Sequence, residues 1–409
     1  MGIKVMGILR ASGVQISGIL LAATTASCGT AGVEPAQTPK SNLVMAAARA
    51  DDIVASRRTL SLSAKGMKIA WHPSGKIFAV LDADMRVIEF DAQTGEKRKV
   101  LPTLVRGSLF GGIAYSPDGR YLVGGNGVIT VFDAATGAKI REIAGPYAND
   151  FHGAQGIATL TISPDSKNVA VRYSMYAHTI NENISVFDIE TGAEVFSVSG
   201  ISNMKMASGF SGNLAYTPDG KHLLTSHYEF PTYAVRKLTG EKTNYSAAVD
   251  FLDAHSGQRI ERIGPPVHVM RVRALAVSRN GRYVATGTST TDKEYGRNPK
   301  TGEPDFIENE DPVRLWDRET GKLIREFGPL RGAVVALSFN QDDSILASCQ
   351  TDLTNKETIW LWSVASGQLI QRIRTSGTVS EFFDCSFSPD GRYLAMPSVS
   401  RVELIELRK

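Results

Sequence analysis

Seven short turns recur along the chain: "HPSGK" (72–76), "SPDGR" (116–120), "SPDSK" (163–167), "TPDGK" (217–221), "SRNGR" (278–282), "NQDDS" (340–344) and "SPDGR" (388–392). Six of the units they define carry a second turn: "FDAQTGEK", "FDAATGAK", "FDIETGAE", "LDAHSGQR", "WDRETGKL" and "WSVASGQL". The step from Gly75 to Gly119 is 44 residues. A self-similar period of this size means one supersecondary unit per repeat. Each unit buries its apolar faces only against its neighbours, so the repeat constrains the fold before any single residue does.

The columns behave as strands. Six residues before each turn glycine, or its equivalent, stand Ile69, Ile113, Leu160, Leu214, Leu275, Leu337 and Cys385. Four before stand Trp71, Tyr115, Ile162, Tyr216, Val277, Phe339 and Phe387. Large apolar residues two apart mark one buried face of a strand. A second apolar strand follows the turn, a third ends at the Phe-Asp or Trp-Asp, and a fourth follows the Thr-Gly turn. Four strands in each of seven units predict an all-β fold, a seven-bladed β-propeller of four-stranded blades. The last unit stops at "RVELIELRK" without a fourth strand, while "RRTLSLS" (57–63) is a strand without a unit. The N-terminal strand is therefore expected to complete the last blade and close the ring, which removes an open edge.

With these turns and columns in place, residues 57–409 resemble the WD40-repeat family, and in particular its exported bacterial members. Trp316-Asp317 is a literal Trp-Asp, and no Gly-His dipeptide occurs. The family's internal network, which uses that histidine and an aspartate before the third strand, is expected only in degraded form. The aspartate position reads Asp84, Asn126, Asn181, Ser246, Glu310 and Lys356. The resemblance implies a non-catalytic binding scaffold with a protein or peptide partner and no cofactor, working as a monomer.

The fold sorts the loops. The tight Asp-Gly and Thr-Gly turns fall on one face, where they supply positive φ and side-chain hydrogen bonds to the backbone. The connections between second and third strands fall on the other. Blade 2 has only "GGNG" there, whereas blades 3 to 6 carry "YSMYAHTINEN", "SHYEFPTYAVRKLTGEKTNYSAA", "TSTTDKEYGRNPKTGEPDFIENED" and "CQTDLTNKE". Long loops on one rim point to function, and aromatics with scattered arginine suit protein recognition. The candidate partner-binding residues are Tyr173, Tyr176, Tyr228, Phe230, Tyr233, Arg236, Tyr245 and Tyr295. At the channel mouth, Lys65, Arg271, Arg273 and Glu381 form a second candidate set, either a salt-bridged plug or a contact for an anion or peptide carboxylate.

Other chemistries are weakly signalled. His152, His178, His227 and His268 map to the loop-rich face, but no metal-ligand spacing joins them, so no metal site is expected. A lactonase-type hydrolase or a metal-binding protein acting at the channel mouth is the alternative from another class. Cys349 and Cys385 read as small buried residues of neighbouring blades at different heights, and a bond between them is not expected.

The N-terminus has its own logic. Lys4 and Arg10 are the only charges before Cys28, and "VQISGILLAATTA" is a short apolar core. Residues 1–27 read as a signal peptide of lipoprotein type, with Cys28 the residue to be lipidated, and 28–56 as a tether. Thr25 stands where leucine is usual, and cleavage without a lipid is the alternative. The expected place is the periplasm or outer membrane, anchored through Cys28, with no other membrane contact. Net charge is +3, or +1 once Lys4 and Arg10 are removed. That balance argues against nucleic-acid binding driven by phosphate neutralisation.

Overall fold

A computed structural model describes residues 52–104, 111–146, 155–175, 183–199, 213–229, 246–264, 272–288, 296–297, 304–305, 312–328, 333–351, 356–378 and 384–408. The chain divides into two units, Met1–Ala48 and Arg49–Lys409, and the propeller occupies the second.

The first strand is β1 (Val54–Ser61). Blade 1 holds β2 (Gly66–Trp71), β3 (Ile77–Asp82), β4 (Val87–Asp91) and β5 (Lys97–Val100). Blade 2 holds β6 (Gly112–Tyr115), β7 (Tyr121–Gly125), β8 (Ile129–Asp133) and β9 (Lys139–Ile143). Blade 3 holds β10 (Gln155–Ile162), β11 (Asn168–Met175), β12 (Ile184–Asp188) and β13 (Glu194–Val198). Blade 4 holds β14 (Leu214–Tyr216), β15 (His222–Glu229), β16 (Ser246–Asp253) and β17 (Arg259–Ile263). Blade 5 holds β18 (Val272–Val277) and β19 (Tyr283–Thr288), then a separate small hairpin of β20 (Gly296–Arg297) and β21 (Pro304–Asp305), then β22 (Val313–Asp317) and β23 (Leu323–Phe327). Blade 6 holds β24 (Ala333–Phe339), β25 (Ile345–Thr351), β26 (Lys356–Ser363) and β27 (Leu369–Thr378); blade 7 holds β28 (Ser386–Phe387), β29 (Tyr393–Ser398) and β30 (Arg401–Leu407).

The fold is thus the expected seven-bladed β-propeller, with no helix among the described residues. Blade 7 has the order β1-β30-β29-β28, so the N-terminal strand closes the ring by antiparallel pairing with β30, for example Arg58↔Leu404. It begins at Val54, three residues before the expected Arg57.

The repeated turns have one construction. At Ser116–Tyr121, the Ser116 hydroxyl donates to Asp118 Oδ1 (2.6 Å), while the Arg120 N–H donates to that same oxygen (3.0 Å) and the Tyr121 N–H to Ser116 Oγ (2.9 Å). Gly119 provides the left-handed backbone, φ 75°. Ser166 and Asp343 adopt that conformation without being glycine, at φ 63° and 59°. Each also serves the neighbouring blade. Ser166 Oγ accepts the Asp118 N–H (3.0 Å), and the Asp343 carboxylate accepts the N–H groups of Arg279 (2.8 Å) and Asn280 (2.9 Å). Those bonds offset the local strain, which is about 1 kcal/mol or slightly more.

The core is not one body but seven apolar clusters, one at each blade junction. Among the described residues, two indoles tie the third strand of a blade to its second: the N–H of Trp316 donates to Thr286 Oγ1 (2.9 Å) and that of Trp362 to Ser348 Oγ (3.0 Å).

The outer strands add a second fastening. Four residues after the Thr-Gly glycine, a polar side chain reaches the next blade's equivalent turn. Lys99 donates to the carbonyls of Ala134 and Ala135 (both 3.0 Å), and Arg141 to that of Thr191 (3.2 Å). Arg325 donates to the carbonyls of Ala365 and Ser366 (both 2.7 Å). From β1, Arg58 donates to Ala92 (3.0 Å) and Gln93 in the same way. At the blade 6/7 seam Gln371 takes this place: it accepts the Ile53 N–H (3.2 Å) and donates to Asp52.

Cys349 and Cys385 are disulfide-bonded, with Cα atoms 6.4 Å apart, which corrects the expectation of two separate buried thiols. The second strand of a blade lies against the inner strand of the next. The residue column of Cys349 therefore points sideways into the following blade, as Gly125 does at Ile157 and Gly287 at Val334. Height along the strand was the wrong coordinate.

Candidate functional site

The rim carrying the insertions rises from unequal hairpins. In blade 2 the second and third strands pair from Tyr121↔Asp133 to Gly125↔Ile129. In blade 4 they pair from His222↔Asp253 to Glu229↔Ser246, and in blade 6 from Ile345↔Ser363 to Thr351↔Glu357. Three further residues at roughly 3.4 Å each extend the blade 4 hairpin by about 10 Å beyond that of blade 2. The strands lengthen with the insertions in blades 4 and 6, whereas blade 3 pairs only from Asn168↔Asp188 to Arg172↔Ile184 and blade 5 from Tyr283↔Asp317 to Thr286↔Arg314.

Where β11 of blade 3 meets β15 of blade 4 there is a buried polar cluster. Arg172 of β11 is fully buried, 0% exposed. It donates to Thr225 Oγ1 (2.7 Å), the Ser226 carbonyl (2.7 Å) and Ser226 Oγ (3.1 Å) on β15 of the next blade. Such a group is stable in the interior only because its N–H groups find acceptors. Sequence reading passed over Arg172, although a signal was there: its column otherwise holds Leu81, Gly125, Ser226, Gly287, Cys349 and Pro397, none of them charged.

Tyr173, beside it, is not a contact residue. It is 1% exposed and belongs to the apolar cluster between blades 2 and 3, which removes it from the candidate surface. The reason is that β11 continues to Met175, paired with Gln155 of β10, so a segment that reads as the start of a loop is strand. Tyr228 pairs with Ala247 along β15. Its side chain, like Tyr176, Phe230, Tyr233, Arg236, Tyr245 and Tyr295, lies outside the described residues.

At the channel mouth, Lys65 precedes β2, half-buried, and its carbonyl accepts the Ala83 N–H (2.8 Å). Arg273 on β18 is half-buried, its carbonyl accepting from the Asn213 amide; Arg271 and Glu381 lie outside the described residues. A buried carboxyl that sequence reading missed lies just before β28 of blade 7, against β2 of blade 1. Asp384 accepts the Ile69 N–H (3.3 Å). The residue as a whole is half-buried, but its carboxyl is enclosed. Burial raises its pKa, while the Lys68 ammonium and the backbone N–H groups of Ile69 and Cys385 pull the other way.

The opposite face has the electrostatics of structure. The carboxyls of Asp118 and Asp219 are held at about 2 despite partial desolvation. For Asp118, the Ser116 hydroxyl, the Arg120 backbone N–H and the Arg120 guanidinium outweigh that penalty. For Asp219, Thr217, the Lys221 N–H and Arg318 do so. Acids this strong carry no proton to donate near neutrality. Among the described residues no three His, Cys, Asp or Glu side chains gather as metal ligands. His152, His178, His268 and the side chain of His227 lie outside them.

No protein-family model matches the chain. Over 87 residues it is 30% identical to Periodic tryptophan protein 2 of Saccharomyces cerevisiae, a match covering 21% of this chain and 9% of that protein. Over 103 residues it is 32% identical to Cilia- and flagella-associated protein 52 of Chlamydomonas reinhardtii, covering 25% of this chain and 14% of that one. The matches thus span about a seventh or less of the relatives' own length. The fold is a seven-bladed β-propeller, and its local sequence likeness is to WD40-repeat proteins.

Proposed function

We propose that this propeller is a non-catalytic binding scaffold that holds a protein partner on the face carrying the insertions of blades 3 to 6. One observation carries the reading. A ring of otherwise regular blades extends its second and third strands on that face in blades 4 and 6, and roots blade 3 to blade 4 there through a fully buried arginine. Stiff strands carrying long polar-aromatic loops lower the entropy that a binding surface loses on association. The local likeness to WD40-repeat proteins supports the same reading.

The protein acts in the cell envelope, tethered by a lipid on Cys28. The Cys349–Cys385 disulfide supports an oxidising compartment, and of three cysteines it leaves Cys28 as the odd one. A pull-down from envelope extract compares wild type with a variant whose blade 4 and blade 5 insertions are cut to short turns. Loss of the captured partner with an unchanged melting temperature is expected; an unchanged partner set sinks the loop-face reading. For the anchor, Cys28→Ala should move the protein from the membrane to the soluble fraction.

A further inference from the structure

The outer edge of blade 6 is unlike the others. The outer strands of blades 1 to 5 have four or five residues, whereas β27 has ten. Short edge strands are the usual defence against unwanted pairing, and β27 lacks it. Its neighbour across the seam is β1, with eight residues. Between them runs a groove of about 360 Å³, with Asp52, Val54 and Arg57 on one wall and residues 371–374 on the other.

Residues 371–374 pair regularly with β26, from Leu361↔Gln371 to Thr358↔Arg374. In an antiparallel pair, alternate residues direct both backbone groups to the same side. The Arg374 carbonyl points away from β26, since it accepts from Arg57 Nη2 of β1 (2.8 Å). Arg372 therefore also turns its N–H and C=O outward, and these two groups with the Arg374 N–H form the edge open to pairing, the Arg374 carbonyl being held by Arg57. The two arginine side chains share one face, about 7 Å apart at roughly 3.4 Å per residue. Arg372 lies over the Trp360 ring, 4.8 Å from its centroid, which fixes its direction. The carboxylate on the groove wall, Asp52, is committed to the Val54 N–H (2.9 Å) and to Gln371.

We propose that this groove binds an extended acidic peptide segment of a partner protein, which adds to β27 as a fifth strand. Its backbone pairs with Arg372 and with the Arg374 N–H, and a carboxylate of the peptide meets the Arg374 guanidinium beside Arg57, while Arg372 stays over Trp360 and adds its charge from behind the edge. Strand addition supplies affinity through the main chain, and the arginines supply the choice of sign. This site is separate from the loop-bearing face and does not depend on it.

The test uses a fluorescein-labelled peptide alternating glutamate with threonine and valine, followed by fluorescence anisotropy. The expected results are saturable binding, at least about tenfold weaker binding by Arg374→Glu, and comparable loss when lysine replaces glutamate. A peptide with a central proline should also lose binding, because it cannot donate along the edge. Hydrogen exchange on the wild-type protein should show the amides of Arg372 and Arg374 slowed by the acidic peptide. The protein with shortened blade 4 and 5 insertions should bind it as wild type does. Absence of saturable binding, equal binding of the lysine peptide, equal binding of the proline peptide, or unchanged exchange at Arg372 and Arg374 would each overturn the proposal.

Discussion

The blade 5/6 junction and the blade 4/5 junction are built from the same repeat, yet they are fastened differently. At 5/6 the outer strand sends Arg325 to two carbonyls of the next turn. At 4/5 the equivalent residue is Glu261, which cannot donate; the oxygen Oε1 stands 3.3 Å from where a β-carbon on Gly321 would be. At 3/4 it is Phe196, whose ring packs against Gly257. The two junctions without a polar clamp flank blade 4, which carries one of the longest insertions. Blade 3 is instead tied to blade 4 by Arg172, inside the ring rather than on its rim. A repeat protein can thus relocate a fastening without changing its fold, because each junction is nearly an independent unit.

Four experiments test this contrast. The largest effect belongs to the seam. Replacing Cys349 and Cys385 by serine should lower stability by about 4 kcal/mol, the loop-closure value for a separation of 36 residues. Urea unfolding with and without reductant checks it, and a change below 1 kcal/mol would mean that the seam is held by pairing alone. Next, Arg172→Met should cost about 3 kcal/mol, since it leaves the Thr225 and Ser226 groups without their buried donor. A near-neutral result would show that blade 4 is not rooted this way. Arg325→Ala, on the exposed rim, should cost about 1 kcal/mol and add to Arg172→Met, because the two lie at different junctions. The smallest effect is a gain. Glu261→Arg places a donor beside the blade 5 turn and should raise stability by up to about 1 kcal/mol in the same assay. A loss there would mean that the clamp depends on more than the one residue.

Much of this was legible in the sequence. The two apolar columns predicted the inner strands, and Ile69, Leu160, Leu214 and Leu337 are indeed buried. The missing fourth strand of unit seven predicted the closing role of β1. What strand alternation could not reveal was contact across junctions, because it describes one sheet and says little about which residues face the next. Arg172 and Cys349 share one such column. For that reason alternation neither singles out Arg172 nor leads to a bond at Cys349, although Arg172 is the one charged residue in a column of Leu81, Gly125, Ser226, Gly287, Cys349 and Pro397. Tyr173 failed differently: the end of a strand was placed too early, where polar residues follow without a turn signal. The side chains of the remaining aromatic candidates lie outside the described residues.

Ring closure by β1 also has a kinetic side. The Ser56 hydroxyl meets the Glu406 carboxylate 350 residues away in the chain, so the first strand made finds its partner only when the last has emerged. The length-dependent part of that closure is on the order of 5 kcal/mol, and it must be met before any of its contacts form. Contacts of such high order slow folding. Until then blade 7 presents an open three-stranded edge. The interval before closure is when this chain most needs protection from pairing with another copy of itself.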